Sequence, residues 1–231
     1  MRTMQSLRFG AACAALFAAV AFAAQPALAA GKSDEHSAEQ RVQKSVGVVQ
    51  KMKADSKISG VLRQAKGVLI VPDYGKVAFG VGGRGGTGVL VAKQANGKWS
   101  DPAFYNTGEA SVGLQAGVEG GSVAFLLMSD KALDQFKQNN HISLNADAGL
   151  SIVDWSAKGQ ASTTKGDVIV WSDTKGLFAG ASVGISDLTL SKDETQAYYG
   201  GQPVTPRDLL AGNTQVRAPA TANQLKQALT S

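Results

Sequence analysis

Side chains able to do chemistry are few in this chain, and their spacing does not favour catalysis. Two histidines, His36 and His141, and one cysteine, Cys13, are all the imidazole and thiol among 231 residues. His36 sits in a polar stretch and His141 follows Asn139-Asn140 just before an apolar run, where a satisfied loop histidine is the simpler reading. Structural or catalytic zinc needs several such ligands together, so no metal site is expected. A serine hydrolase would need one of these histidines as its base, and no Gly-x-Ser-x-Gly elbow surrounds a serine. Asp193-Glu194 stands at an expected helix start, where the helix dipole accounts for the carboxylates. Glu109 and Glu119, on a glycine-rich strand pair, could be partly enclosed acids. A glycosidase would require them at a defined separation across a sugar, which the sequence does not supply. The chain reads as non-enzymatic, with no cofactor.

The glycines from Gly80 to Gly88 twice satisfy the dinucleotide-binding pattern, at Gly80-x-Gly82-x-x-Gly85 and Gly83-x-Gly85-x-x-Gly88. That pattern holds a pyrophosphate only when a helix follows. Here Val89-Leu90-Val91-Ala92 and an Asn96-Gly97 hairpin turn follow instead, so no nucleotide site is expected. The runs Val68–Val71, Val77–Val81 and Val89–Ala92 read as strands, with Pro72-Asp73-Tyr74-Gly75 as a turn between the first two. The missing β-carbons between Gly80 and Gly88 allow strained backbone or close approach of another surface.

Charge is more informative than these motifs. From Arg41 to Lys66 there are seven basic residues against one acid, Asp55, whereas Gly67 to Ser231 holds 13 basic and 14 acidic residues. A concentrated basic segment speaks to partners such as an anionic surface. Val42, Val46 and Val49 fall at helical spacing, and Ile58, Val61, Leu62 and Ala65 resume it after Asp55-Ser56, which predicts two consecutive amphipathic helices. Lys44 and Lys51 flank the valine stripe, and Lys53 projects close to it, where its stem could snorkel. Two readings stay open: a surface helix packed on the sheet with solvated lysines, or a helix whose stripe enters a membrane interface.

The elements around this segment follow from the remaining pattern. Met1 to Ala29 reads as a secretory signal: Arg2 and Arg8 precede the apolar Phe9–Ala24, and Ala27-Leu28-Ala29 offers a cleavage site. Cys13 would be removed with it. Lipid attachment at Cys13 is disfavoured because Gly10-Ala11-Ala12 lacks a large aliphatic residue. Residues 30–40 are expected to be a polar lead-in, and residues 41–231 one domain with its core at 49–190. Ser111 to Val118 alternates with period two, Gly120-Gly121 reads as a turn, and Val123 to Met128 suits a strand buried on both faces. Ser129-Asp130 caps a helix with Leu133 and Phe136 inward. Strands are expected in Ile142–Trp155, Asp167–Trp171 and Ala181–Leu190, and short helices in KDETQAYYG, TPRDLLAG and TANQLKQAL. The fold class is therefore α+β, a glycine-rich, mainly antiparallel twisted or barrel-like sheet between N-terminal amphipathic helices and short C-terminal ones. An outer-membrane barrel is excluded by the basic helical segment and the lack of aromatic girdles.

The blocks GVLIVPDYGKVAFGVGGRGGTGVLVAKQANGKWSDPAFYNTGEASVGLQAGVE, Asn145-Ala146-Asp147-Ala148 and WSDTKGLFAGASV together resemble the SYLF domain, over about Val49 to Leu190. The resemblance implies a non-enzymatic domain that binds anionic phospholipid head groups through a basic amphipathic segment beside the glycine-rich core. Carried onto this chain, the segment supplies Arg41, Lys44, Lys51, Lys53, Lys57, Arg63 and Lys66, and the glycine-rich block supplies Arg84. Lys76, Lys175 and Phe178 lie in matched blocks and join them as inferred contacts. The bacterial members are typically exported, so the expected setting is the periplasm, peripheral on a membrane, with no nucleic acid as partner. The alternative is an envelope interaction protein whose glycine-rich face docks a protein or glycan.

Overall fold

The computed structural model describes residues 25–79, 81–112, 117–144, 149–155, 166–173 and 185–230. Two helices open it, α1 (Gln25–Ala54) and α2 (Ser56–Gln64). On α1 the buried positions Ala38, Val42, Ser45, Val49 and Met52 recur every three or four residues and are all fully enclosed, the stripe of a helix packed along its length. The stretch expected as a polar lead-in is therefore helical, continuous with the valine stripe. At Asp55 the chain breaks and restarts: its carboxylate accepts from the Lys57 N–H at 2.9 Å and caps α2. Ile58, Val61 and Leu62 of α2 are buried.

Eight strands follow, β1 (Gly67–Phe79), β2 (Val81–Ala92), β3 (Ala103–Val112), β4 (Gly117–Leu127), β5 (His141–Leu144), β6 (Ile152–Asp154), β7 (Val168–Ser172) and β8 (Ile185–Leu190). They form one curled, half-barrel sheet in the order β5-β8-β3-β2-β1-β4-β7-β6, antiparallel except for β6 against β7. Val68–Val71 of β1 and Val123–Leu127 of β4 lie at its centre and are enclosed on both faces, as their unbroken apolar runs require.

The expected turn at Pro72-Asp73-Tyr74-Gly75 is absent. β1 passes straight through it, and the register with β2 shifts between Ile70 and Gly75 while that with β4 shifts between Val71 and Tyr74. The Pro, Asp and Gly mark an irregularity inside one long strand. Gly120-Gly121 likewise lies within β4, opposite Gly75 and Tyr74. The reversal at Asn96-Gly97 is present: Gly97 N–H donates to the Gln94 carbonyl at 2.9 Å, and Gly97 takes φ 79.

Helix α3 (Asp130–Gln138) is capped by the Ser129 hydroxyl, and α4 (Lys192–Tyr198), α5 (Pro206–Ala211) and α6 (Ala220–Thr230) close the chain. Neighbouring residues of β3 show how these are layered. Phe104 meets Tyr198 of α4 at 5.1 Å between ring centroids, while Tyr105 meets Phe136 of α3 edge-on, also at 5.1 Å. Successive strand residues face opposite ways, so α4 and α3 cover opposite faces of the sheet. Helix α1 packs on α4 and α6, and α3 packs on α5.

Candidate functional site

The basic segment folds onto carboxylates drawn from the rest of the chain. Arg41 Nε lies 2.7 Å from Glu194 Oε1 of α4, with side chains only 21% and 14% exposed. Lys44 Nζ lies 2.8 Å from Asp73 in the β1 irregularity, and Lys51 Nζ lies 2.7 Å from Asp173 just after β7. Lys66 pairs with Asp130 at the start of α3. Four of the seven cations thus meet acids from four separate parts of the chain. The Lys53 ammonium donates to the Ala228 carbonyl of α6. Partial burial, then the neighbouring Arg63 charge, pushes its pKa below the usual lysine value. Lys57 is exposed on α2. Arg63 is exposed too, its guanidinium 3.5 Å from Ser59 Oγ, and its carbonyl accepts from Lys93 Nζ at 2.8 Å.

The valine stripe is not at the surface. Val42 and Val49 are fully buried and Val46 is half-buried against the core. Of the two readings of α1, the packed one describes this conformation. Lys44 and Lys51, one heptad apart, remain outside with side chains 56% and 59% exposed.

A second cluster appears in the sheet register. Glu109 faces Arg84, Arg84 faces Lys76, and Lys76 faces Glu119, so one row crosses β3, β2, β1 and β4 as acid, base, base, acid. A slip of one residue would set Arg84 against Gly108 or Ala110. Glu109, Arg84, Lys76 and Glu119 are described here as backbone; their side chains, and all of Lys175 and Phe178, lie outside the described residues. The acids singled out from sequence as catalytic candidates are therefore register partners of the cations singled out for binding. Sequence spacing could not bring them together, because β1 and β4, direct neighbours in the sheet, are separated along the chain by β2 and β3.

The glycines themselves are used for close backbone approach. A Cβ on Gly85 would lie 2.2 Å from the Thr107 carbonyl oxygen, and one on Gly86 would lie 2.6 Å from the Asp73 carbonyl oxygen. They are followed by strand, not helix, which leaves no helix N-terminus for a pyrophosphate. His36 lies 2.8 Å from Gln40 Nε2 and His141 lies 3.2 Å from Thr189 Oγ1, both on the surface. Among the described residues no group of three His, Cys, Asp or Glu could hold a metal ion, and no helix is long and apolar enough to cross a membrane.

A family profile described as "Ysc84: Las17-binding protein actin regulator" matches residues 108–231, more than half of the chain. The chain belongs to the Ysc84 family. Among its Ysc84-family relatives, Protein YSC84 of Saccharomyces cerevisiae is 34% identical over 176 residues, covering 74% of this chain and 37% of that protein. The SH3 domain-containing YSC84-like protein 1 of Homo sapiens is 29% identical over 174 residues, covering 74% of this chain and 50% of its own length. The chain thus spans half or less of these relatives. No solved structure matches it. The profile begins within β3, so the cation-bearing α1 and α2 lie outside that match.

Proposed function

We propose that this Ysc84-family protein is a non-enzymatic module that docks on anionic phospholipid, using the exposed cations of α1 and α2. The observation that carries the reading is the pair Lys44 and Lys51, a heptad apart on one helix and each more than half exposed. Exposed ion pairs are worth about 0–1 kcal/mol, so exchanging Asp73 for a lipid phosphate costs little. The SYLF resemblance supplies the ligand class. With Val42 and Val49 buried, docking is electrostatic and leaves α1 packed on the core. Arg41, locked to Glu194 and largely buried, serves the fold in this reading, not the lipid.

The setting we propose is the bacterial periplasm, reached through the leader expected at Met1 to Ala29, of which residues 1–24 lie outside the described residues and Gln25 to Ala29 open α1. Export would separate the protein from cytosolic filaments, so actin regulation is not carried over from the family description. The glycine-rich face is a weaker docking surface, since Gly85 and Gly86 are filled by their own neighbouring backbone.

The test is vesicle co-sedimentation of the chain from Ala30 onward, with neutral and anionic vesicles at low and high salt. Pelleting that requires anionic lipid and falls as salt screens the charges supports the reading. Equal pelleting with neutral vesicles, or none with any, refutes it.

A further inference from the structure

Cations that meet no carboxylate gather where α2 ends. Lys93, just after β2, donates from its ammonium to the Arg63 carbonyl of α2 at 2.8 Å and sits 5.2 Å from the Trp99 ring centroid. Its backbone N–H donates to the Lys66 carbonyl at 2.7 Å, which fastens the end of α2 to the Gln94–Lys98 turn. Lys98 is exposed on that turn and shares a cleft with Gln227 and Thr230 of α6. Between those two residues the Ala228 carbonyl holds Lys53, whose pKa is lowered by burial and then by the nearby Arg63 charge. Lys53, Arg63, Lys93 and Lys98 are thus linked contact by contact around the last turn of α6. Among the described residues Arg63, Lys93 and Lys98 pair with no carboxylate; the Arg63 guanidinium has only the Ser59 hydroxyl, at 3.5 Å. The other end of α1 carries the opposite sign. Asp34, Glu35 and Glu39 lie in its first half, and Asp193 and Glu194 open α4 beside it, joined through Arg41. From Asp34 to Lys53 a helix rises about 28 Å, so acid and base are set well apart along the molecule.

We propose that Arg63, Lys93 and Lys98 form a second contact with anionic phospholipid, and that this end of the molecule leads as it docks. The inference rests on the lipid reading above and adds to it a turn that lies outside the Arg41–Lys66 segment. Like charges gathered without a counter-charge favour a negative surface over a neutral one. An extended surface suits them better than one small anion, because Arg63 and Lys98 are exposed on separate elements and share no hydrogen-bond partner. The acids at the start of α1 and α4 are repelled by the same surface. The separation of sign therefore sets an orientation as well as an attraction.

Lysine footprinting tests this on the unsubstituted protein. Exposed amines are reductively methylated with and without vesicles of phosphatidylcholine and phosphatidylglycerol, and each lysine is read by peptide mass spectrometry. The expected result is that the anionic vesicles protect Lys93 and Lys98 and leave Lys192, exposed at the start of α4, as reactive as in buffer. Lys98 takes part in the turn only through its backbone, so Lys98→Gln should leave the fold intact. It should weaken binding to the same vesicles about fivefold, the loss of one well-placed cation, while Lys192→Gln binds as the parent does. Protection confined to Lys44 and Lys51 overturns this inference while the lipid reading stands, and so does unchanged binding by Lys98→Gln. No protection at any lysine overturns both. Protection of Lys98 by soluble glycerol 3-phosphate as strong as by vesicles also overturns the inference, since the patch would then be a site for a small anion.

Discussion

Gly75, Gly85 and Gly108 stand side by side across β1, β2 and β3, and alanine at each should act in opposite directions. A Cβ on Gly85 would lie 2.2 Å from the Thr107 carbonyl oxygen and 3.0 Å from Gly108 Cα, whereas one on Gly75 or Gly108 has nothing within 4 Å. The obstruction at Gly85 is backbone of a paired strand, which cannot rotate away as a side chain would. Relief requires separating β2 from β3, and overpacking of this kind costs about 3 kcal/mol. For a chain of this size that is a fall in Tm of roughly 6–12 °C. Gly75→Ala and Gly108→Ala restrict the unfolded chain without a clash and should stabilise by about 0.4–1 kcal/mol. Urea unfolding followed by circular dichroism measures all three. If Gly85→Ala falls within about 0.5 kcal/mol of the parent, the glycines are not there for strand approach, and the packing account of the glycine-rich segment is wrong.

Arg41→Ala removes a largely buried ion pair between α1 and α4, and should cost about 1–3 kcal/mol of unfolding free energy; an unchanged urea midpoint would contradict this. Asp167 has its carboxyl held below its ordinary value of 3.8, first by the Ser129 hydroxyl and then by the Ser151 N–H and hydroxyl. A lowered folded pKa contributes stability that is complete above 3.8 and is lost as pH falls through the lower folded value. Asp167→Asn should therefore flatten the acid limb of the stability curve, and a limb identical to the parent's would refute the assignment.

Much of the architecture is legible in the sequence because local chemistry decides it. Ser129 before Asp130, and Thr205 before Pro206, start helices through side-chain caps that need no distant partner. Val123–Leu127 announces its double burial by an unbroken apolar run. Pro72 to Gly75 misleads because turns and strand irregularities recruit the same residues; what decides is the pairing of β1 on both sides, to β2 and β4. The helical start of α1 is obscured by polar residues facing solvent, with Ala38 the inward position that extends the stripe. At the candidate site, the concentration of cations is readable from Arg41 to Lys66, but their partners are not. Asp73 is 29 residues from Lys44, Asp173 is 122 from Lys51 and Glu194 is 153 from Arg41. The only trace of them in sequence is that the rest of the chain is close to neutral.

In the proposed docking, exposed α1 cations exchange surface carboxylates for lipid phosphate while the helix stays packed. Its most direct test is the affinity of Lys44→Gln and Asp73→Asn, measured separately by anionic vesicle co-sedimentation at fixed low salt. Each well-placed cation contributes about 1 kcal/mol at an anionic surface, so Lys44→Gln should weaken binding about fivefold, and Asp73→Asn, which leaves Lys44 its charge and removes the competing carboxylate, should strengthen it. Equal affinity for both variants and the parent would contradict the claim.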